Sequence, residues 1–377
     1  MRKAKTLLFF LMSSVTKIIA SPDIKVIRND DPLIYFHGRW DSTPGTWWAG
    51  SGLKLHVNNL KSLSLTLGPH TTTPAAAVGI SLNYNDFITF NVSEGKNDIP
   101  LSQLAGLSSD SERSRSSVVR LNVEGWQNNR IDLQNITINS DASLLPYTPS
   151  RLVFQFIGDS LSAGQFLPKG VDQAWPFLVG EQFKAEHVVT AQPGATLTDM
   201  VSFVFLTFSV LKTEDTGYFY TTDHNFTTPW NFARDVPAVT HVVIHIGDYF
   251  YRNRANDASQ GVTDDGFVEV YMDFLQRLRT IYHHQPIFVF TPWGWPNADG
   301  TISQYYEGLH QKIVQMRHEI GDKQVFLVNT TGWVTWDDVF PDNVHPNVPG
   351  HQKIANLFSD WLEKWGLKPE QEWATQT

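Results

Sequence analysis

A serine stands where an apolar stretch of the chain gives way to a helical pattern. Residues 151–157 are rich in β-branched and aromatic side chains, and Gly158, Asp159 and Ser160 follow them directly. The pattern predicts a strand, a tight turn and a helix, with Ser160 at the carboxyl end of the strand. Ligands bind at that edge of an open α/β sheet, so Ser160 is a candidate nucleophile. The alternative is a serine that only caps the helix, with Asp159 in the turn.

A carboxylate and a histidine lie close together much further along the chain. Asp342 and His345 are three residues apart in a loop bounded by proline and glycine residues. A serine nucleophile needs a base that accepts its proton and a third group that orients the base. This one loop supplies both groups. Asp337 and Asp338, a few residues earlier, are alternative orienting carboxylates.

These two motifs resemble those of the SGNH (GDSL-type) hydrolases. Gly158-Asp159-Ser160-Leu161 corresponds to the nucleophile block of that family, and Asp342-x-x-His345-Pro346 corresponds to its closing block. The resemblance implies a serine esterase with Ser160, Asp342 and His345 as catalytic residues, and it favours Asp342 over the two earlier aspartates. Gly194 matches the second-block glycine, whose backbone N–H helps to form the oxyanion hole.

The third block of the family departs from its pattern in this chain. The family's Gly-x-Asn-Asp follows an apolar strand, and residues 241–246 predict such a strand, but the chain then continues through Gly and Asp to Tyr249. Tyr249 stands where an oxyanion-hole asparagine belongs, and loss of one such donor typically lowers turnover by about 10²–10³. The expected oxyanion hole is therefore Ser160, Gly194 and the hydroxyl of Tyr249, with Asn253 as an alternative donor.

The composition is that of an ordinary globular protein and limits the possible chemistry. A formal net charge of -9 argues against nucleic-acid binding, which leaves a basic footprint on a protein. The absence of cysteine excludes disulfides, a thiol nucleophile and cysteine-based zinc sites. The thirteen histidines include no His-Glu-x-x-His or comparable ligand spacing. The sequence therefore predicts an enzyme without a metal or other cofactor.

The N-terminus has the pattern of a secretory signal peptide. Within residues 1–20, three basic residues precede an apolar stretch, and Ala20 ends the segment as a possible cleavage point. The apolar stretch is too short and too interrupted to span a bilayer, so no membrane insertion is expected. Four Asn-x-Ser/Thr sequons also fit a secreted glycoprotein. They begin at Asn91, Asn135, Asn225 and Asn329. We expect an extracellular protein.

The pattern of apolar and turn residues changes near residue 146. Residues 23–146 show short apolar runs separated by turn residues, which predicts an all-β sandwich or jelly roll. Residues 150–366 alternate strands with helices, which predicts an α/β fold with a parallel sheet, the flavodoxin-like three-layer domain of SGNH hydrolases. Residues 367–377 are expected to be a C-terminal tail. The expected strands are 152–157, 187–191, 241–246, 286–291 and 324–328, and the expected helices are 172–185, 197–211, 266–283, 303–319 and 350–365.

Aromatic residues near the predicted active edge point toward carbohydrate. Trp293 and Trp295 follow a predicted strand, where an indole face suits the apolar face of a sugar ring, although packing in the core is the alternative for both. The segment 212–236 is long and aromatic, and we expect it to cover the cleft.

The domain order resembles that of carbohydrate esterase family 2 and its fungal relatives, as does the stretch Phe36-His-Gly38-Arg39-Trp40. The resemblance implies hydrolysis of acetyl esters on plant-cell-wall polysaccharides, with an acylated carbohydrate as the binding partner. Two alternatives stay open. One is a lipid or general acyl-ester hydrolase of the same fold, and the other is a catalytically impaired carbohydrate-binding protein, motivated by Tyr249. The sequence does not predict an oligomeric state.

Overall fold

A computed structural model describes residues 24–104, 116–125, 128–195, 197, 200–202, 209–211, 218–220, 228–246, 262–304, 306–342 and 344–377. The predicted signal peptide, Tyr249 and Asn253 lie outside these residues.

The N-terminal region is a sandwich of two antiparallel sheets. One sheet has the strand order β1-β10-β5-β8, with β3 beside β10, and the other has the order β11-β4-β9-β6-β7, with β2 beside β4. The strands are β1 Ile24–Arg28, β2 Tyr35–His37, β3 Gly45–Thr46, β4 Gly52–Asn58, β5 Leu63–Leu67, β6 Ala76–Leu82, β7 Ile88–Val92, β8 Gly95–Ile99, β9 Ser116–Val123, β10 Ile131–Asn139 and β11 Ser143–Leu145. A short helix, α1, spans Leu101–Leu104. The predicted β-sandwich is confirmed.

Side-chain alternation explains why these strands form a sandwich. Leu63, Leu65 and Leu67 of β5 all point to one side and are buried together with Leu53 and Leu55 of β4 in the other sheet. Successive residues of a strand face opposite sides, so the leucines share one face of β5. Burying the two apolar faces against each other removes both from water and forms a single core.

The second region contains a five-stranded parallel sheet with the order β13-β12-β16-β17-β20. The remaining strands are β12 Val153–Asp159, β13 Glu186–Gln192, β14 Met200–Ser202, β15 Ser209–Leu211, β16 His241–His245, β17 Ile287–Phe290, β18 Trp295–Pro296, β19 Ile302–Ser303 and β20 Val325–Val328. The helices are α2 Ser160–Ala163, α3 Trp175–Phe183, α4 Asp264–Arg279, α5 Leu309–Glu319 and α6 Val348–Trp365. Short 3-10 helices span Gly170–Gln173, Phe232–Arg234 and Trp336–Asp338.

Helices cover both faces of this sheet. Trp175 of α3 and Phe358 of α6 pack with Phe156 of β12 on one face, whereas Phe274 of α4 and Ile313 of α5 belong to the core on the other. In chain order the sheet is 2-1-3-4-5, the flavodoxin-like order, and its topological switch point lies beside β12. The predicted three-layer α/β fold and the five predicted parallel strands are confirmed.

Two predicted helices differ from the structure. Where residues 197–211 were expected to be helical, the described residues form the antiparallel pair β14 and β15. Valine, phenylalanine and leucine make up most of this stretch, and a short apolar run of such residues fits a strand as well as a buried helix. The helix expected from residue 303 begins only at Leu309, because Gly308 adopts a left-handed φ of 78° at its N-cap.

The sandwich covers the outer edge of the parallel sheet through buried polar contacts. Lys54 of β4 forms an ion pair of 2.5 Å with Glu186, the first residue of edge strand β13, and both side chains are more than 90% buried. Arg120 of β9 pairs at 2.7 Å with Glu181 of α3. Covering this edge removes a row of unpaired backbone groups from solvent. The paired charges also fix how the two regions meet.

The C-terminal segment, residues 367–377, runs along the same boundary. Trp373 stacks on Tyr84 of the sandwich, with 4.4 Å between ring centroids and 7° between planes. The hydroxyl of Thr375 donates to the carbonyl of Thr148 and accepts from its N–H, both at 2.7 Å. The backbone N–H of Glu370 donates to the carbonyl of Phe183 in α3. The segment thus contacts both regions of the protein.

Candidate active site

Ser160 is held at the junction of β12 and α2. Asp159, the last residue of the strand, caps the helix by accepting the N–H of Leu161 at 2.9 Å. Gly158 permits this sharp turn, because a Cβ there would lie 2.4 Å from the hydroxyl oxygen of Ser162. The predicted strand, turn and helix are confirmed. Ser160 is fully buried at the carboxyl edge of the sheet, beside its switch point.

His345 comes from the loop that leads into α6. This loop is pinned by backbone bonds from the N–H of Phe340 to the carbonyl of His345 and from the N–H of Asn347 to the carbonyl of Asp338, each 2.8 Å long. Asn347 also caps α6 by accepting the N–H of Gly350 at 2.9 Å. A side chain at Gly350 would collide with the carbonyl of Asp338. These hydrogen bonds within the loop therefore fix the position of His345.

The structure brings Ser160, His345 and Asp342 into one hydrogen-bonded chain. The Nε2 atom of His345 lies 2.9 Å from the Oγ atom of Ser160. Its Nδ1 atom lies 2.5 Å from the Oδ2 atom of Asp342. The other carboxylate oxygen accepts the backbone N–H groups of Val344 and His345 at 3.0 and 3.1 Å. His345 is buried, whereas the side chain of Asp342 is 33% exposed.

These contacts keep Asp342 ionised and determine which ring nitrogen of His345 carries the hydrogen. Burial alone would raise the pKa of Asp342, but hydrogen bonds from the His345 ring and from the Val344 N–H outweigh it and lower this pKa. An ionised carboxylate only accepts hydrogen bonds, so Nδ1 must carry the hydrogen. The lone pair of Nε2 then faces the hydroxyl of Ser160, which is the arrangement that proton abstraction requires.

The two rival carboxylates do not contact the His345 ring. The Asp338 side chain accepts the N–H and hydroxyl of Thr335 and pairs at 2.6 Å with Lys353. Asp337 is exposed. Of the three aspartates, the geometry favours Asp342.

Gly194 lies in the turn that follows β13, the strand next to β12. In the parallel register, Asp159 of β12 pairs with Gln192 of β13, and Gly194 follows two residues later. It is buried and has a left-handed φ of 80°, which glycine tolerates without steric cost. Its position is compatible with the expected oxyanion hole of Ser160 and Gly194. Tyr249, the expected third donor, lies outside the described residues.

Trp293 and Trp295 occupy different environments. Trp293 is only 3% exposed and stacks on His245 at 3.8 Å between ring centroids, inside the core of the sheet. A sugar platform needs an open ring face, so this burial favours the core-packing alternative for Trp293, and its substrate contact stays a prediction. Trp295 is half-buried in the pair of β18 and β19, and its role in substrate binding stays a prediction.

The described part of segment 212–236 packs against the sandwich. The guanidinium of Arg39 lies 4.6 Å from the ring centroid of Trp230 and 5.2 Å from those of Tyr218 and Phe232. Tyr220 packs against the buried Trp47 and Trp48. The described part of the segment therefore lies between the sandwich and the α/β region. The expected role of the segment as a cover over the cleft stays a prediction.

One aromatic residue beside the site is missed by motif-based reasoning. Phe166 packs edge-to-face against the His345 ring, with centroids 4.9 Å apart, and against Phe340 at 6.2 Å. It is nevertheless 59% exposed. The available signal was an aromatic residue six positions after the serine, just beyond the glycine turn.

Among the residues that the structure describes, no group of three or more His, Cys, Asp and Glu side chains is arranged to hold a metal ion. In the same part of the chain, no helix combines the length and the apolar character needed to cross a bilayer.

The fold and the arrangement of the site are those of an SGNH-type hydrolase: a 2-1-3-4-5 parallel sheet with hydrogen-bonded Ser, His and Asp side chains at its carboxyl edge. Residues 156–353, slightly more than half of the chain, match the GDSL-like lipase/acylhydrolase family. The protein belongs to that family. The predicted class, a carboxylic ester hydrolase, is thereby confirmed at the level of the family.

Several solved structures that share this fold are carbohydrate esterases. A family-two carbohydrate esterase from Clostridium thermocellum, in complex with cellohexaose, aligns with a TM-score of 0.69 at 17% identity over 88% of this chain and 98% of its own. A family-two enzyme from Cellvibrio japonicus gives 0.68 at 13% identity, over 91% and 98%. An acetyl xylan esterase from the rumen bacterium Butyrivibrio proteoclasticus gives 0.65 at 14% identity, over 91% of this chain and 99% of its own. At these identities the likeness shows the fold. A comparison of the sequence with curated proteins found no match.

Proposed function

We propose that the protein hydrolyses acyl esters, most favourably acetyl esters, on carbohydrate, with Ser160 as nucleophile. The single observation that carries this proposal is the continuous hydrogen-bonded chain from Ser160 through His345 to Asp342. Residues 185 positions apart in sequence meet at hydrogen-bonding distance at the ligand-binding edge of the sheet. A serine that only capped a helix would not need a buried histidine at its hydroxyl.

In the acylation step, His345 accepts the proton of Ser160 while Oγ attacks the ester carbonyl carbon. The resulting imidazolium is stabilised by the Asp342 carboxylate at Nδ1. When the tetrahedral intermediate collapses, Nε2–H gives that proton to the departing alcohol oxygen. The products of this step are the free alcohol and an acyl ester of Ser160.

In the deacylation step, water takes the place of the alcohol. His345 removes a proton from the water, which attacks the acyl carbon, and the Ser160 oxygen then leaves and regains its proton from Nε2. The backbone N–H groups of Ser160 and Gly194 stabilise the oxyanion in both steps. Removal of one such donor typically costs about 10²–10³ in turnover. The Tyr249 hydroxyl is the proposed third donor.

The proposed substrate class rests on the fold relatives. These relatives are carbohydrate esterases, one of them solved in complex with cellohexaose and another an acetyl xylan esterase. We therefore assign a polysaccharide ester, with a small acyl group, as the substrate of this chain. A lipid or general acyl ester is the second candidate, favoured by the exposed apolar ring of Phe166 next to His345.

Secretion is part of the proposal. It is supported by the basic and apolar pattern of residues 1–20 and by the sequons. Asn91 in β7 and Asn329 after β20 are exposed, whereas Asn135 in the central strand β10 is half-buried. The two exposed asparagines are the accessible acceptors among the described sequons.

The experiment that tests the function measures acid release from acetylated xylan and glucomannan and from synthetic esters of two to twelve acyl carbons. Serine-dependent acetate release from the polysaccharides supports the proposal. Turnover of long-chain esters alone replaces it with the lipid function. Glycan binding without any hydrolysis leaves the carbohydrate-binding alternative.

A further inference from the structure

Phe166 contacts the buried His345 and is itself largely exposed to solvent. Its ring lies edge-to-face against the imidazole of His345, with an angle of 79° between ring planes, and 59% of the residue is exposed. His345 itself is only 5% exposed. An isolated exposed apolar residue has no special meaning. One that covers the catalytic base and presents the rest of its surface to solvent can contact a substrate.

The backbone holds Phe166 in an unusual conformation. Its φ of 70° is left-handed, which a residue with a bulky side chain rarely adopts. The turn that imposes it follows α2 directly: the N–H of Gln165 donates to the carbonyl of Ser160, and the N–H of Leu167 donates to that of Gly164. Residues in such conformations persist where the surroundings enforce them, often at ligand sites. The turn that ends the nucleophile helix therefore also sets the aromatic ring.

The chemistry of ester cleavage tells which part of a substrate Phe166 would meet. Nε2 of His345 must give its proton to the alcohol oxygen, so the alcohol lies on the histidine side of Ser160. The carbonyl oxygen points to the backbone N–H donors at Ser160 and Gly194. Because Phe166 contacts the His345 ring, it borders the alcohol side.

We propose that Phe166 is a specificity-determining residue that binds the sugar ring of the alcohol portion by stacking. This proposal rests on the proposed function, since a carbohydrate ester has a pyranose ring at this point. The C–H groups of a pyranose face are the apolar surface that an aromatic ring covers well. Phe340 also packs against the Phe166 ring through an edge-to-face contact.

A binding measurement separates this role from catalysis. Titration of an acetylated xylo-oligosaccharide into the Ser160→Ala protein measures affinity without turnover. Adding Phe166→Ala is expected to weaken binding about tenfold, whereas Phe166→Tyr retains it. Ile320→Ala is the matched control, because Ile320 is a similarly exposed apolar residue, 65%, after α5 and away from the site. Equal affinity of the Phe166→Ala and control proteins overturns the proposal, as does absence of binding in the Ser160→Ala parent.

Kinetics of the otherwise unchanged protein distinguish binding from positioning of His345. Phe166→Ala should raise KM for acetylated xylan with little change in kcat, and the loss in kcat/KM should exceed that on ethyl acetate by about tenfold. An equal fall of kcat on both esters shows that Phe166 only positions the histidine and refutes the sugar contact. A change confined to acyl-chain selectivity places the ring on the acyl side and also refutes it. Loss of affinity in a protein that hydrolyses nothing would support the stacking role while rejecting the proposed function.

Discussion

Replacing Asp342 by asparagine separates the charge of this side chain from its shape. In the wild-type protein, Oδ2 accepts the Nδ1–H of His345 at 2.5 Å and Oδ1 accepts two backbone N–H groups. An asparagine keeps its oxygen on the backbone N–H groups and places its NH₂ group against Nδ1. That group donates, so His345 must carry its hydrogen on Nε2, where it can no longer accept the proton of Ser160.

The expected loss of kcat follows from the burial of Asp342 and from the change in the tautomer of His345. The corresponding change in a fully buried Ser–His–Asp triad lowers kcat about 10⁴-fold. Asp342 is 33% exposed, so water can solvate the altered pair and reduce the penalty. We expect kcat to fall about 10²–10⁴-fold, which corresponds to roughly 3–5 kcal/mol of transition-state free energy. The free energy of unfolding should change by less than about 1 kcal/mol, because both backbone contacts remain.

The assay is steady-state acetate release by wild-type and Asp342→Asn proteins, with denaturant unfolding of both. Asp337→Asn serves as the control, because Asp337 is exposed in the same loop. A loss below about threefold for Asp342→Asn, or an equal loss for the two variants, would show that Asp342 does not orient the base.

Three further changes test the packing that holds the site. Lys54→Met leaves the Glu186 carboxylate buried without its cation and should lower the free energy of unfolding by about 3–5 kcal/mol in urea titrations. An effect near zero would contradict the burial of this pair. Burial raises the pKa of Asp172 well above its usual value. The folded state therefore binds its proton more tightly than the unfolded state, and stability is lost as pH rises above about 4. Asp172→Asn should gain stability relative to wild type as pH rises above about 4, and a difference independent of pH would refute this reasoning. Trp373→Ala removes the stack on Tyr84 and should lower the free energy of unfolding by about 1–3 kcal/mol in the same titrations. No change would show that the C-terminal segment does not dock on the sandwich.

The sequence predicts those parts of the fold that depend on local pattern. Apolar strands that alternate with helices lead to the parallel sheet, and the β12 turn with its Gly158 leads to the position of Ser160. The spacing of Asp342 and His345 anticipates their hydrogen bond, because three residues in a pinned loop bring the two side chains together. In each case, residues near in sequence determine the outcome.

The unpredicted features depend on contacts between distant segments. Nothing near Trp293 in sequence shows that its ring stacks on His245 in the core. The pairing of Lys54 with Glu186 joins residues 132 positions apart, and it forms only once the sandwich meets edge strand β13. The position of Phe166 beside the site depends on its contact with the His345 ring, which belongs to a loop far away in sequence.

The most direct test of the central claim is covalent labelling of the folded protein with a fluorophosphonate, located by mass spectrometry of its peptides. Such a reagent modifies a serine whose hydroxyl is activated by a neighbouring base. We predict stoichiometric modification of Ser160 and about 10²-fold or slower labelling in the His345→Ala variant, whose Ser160 lacks its hydrogen-bond partner. Labelling at another serine, or no labelling of Ser160 in the folded protein, would contradict the assignment of Ser160 as nucleophile.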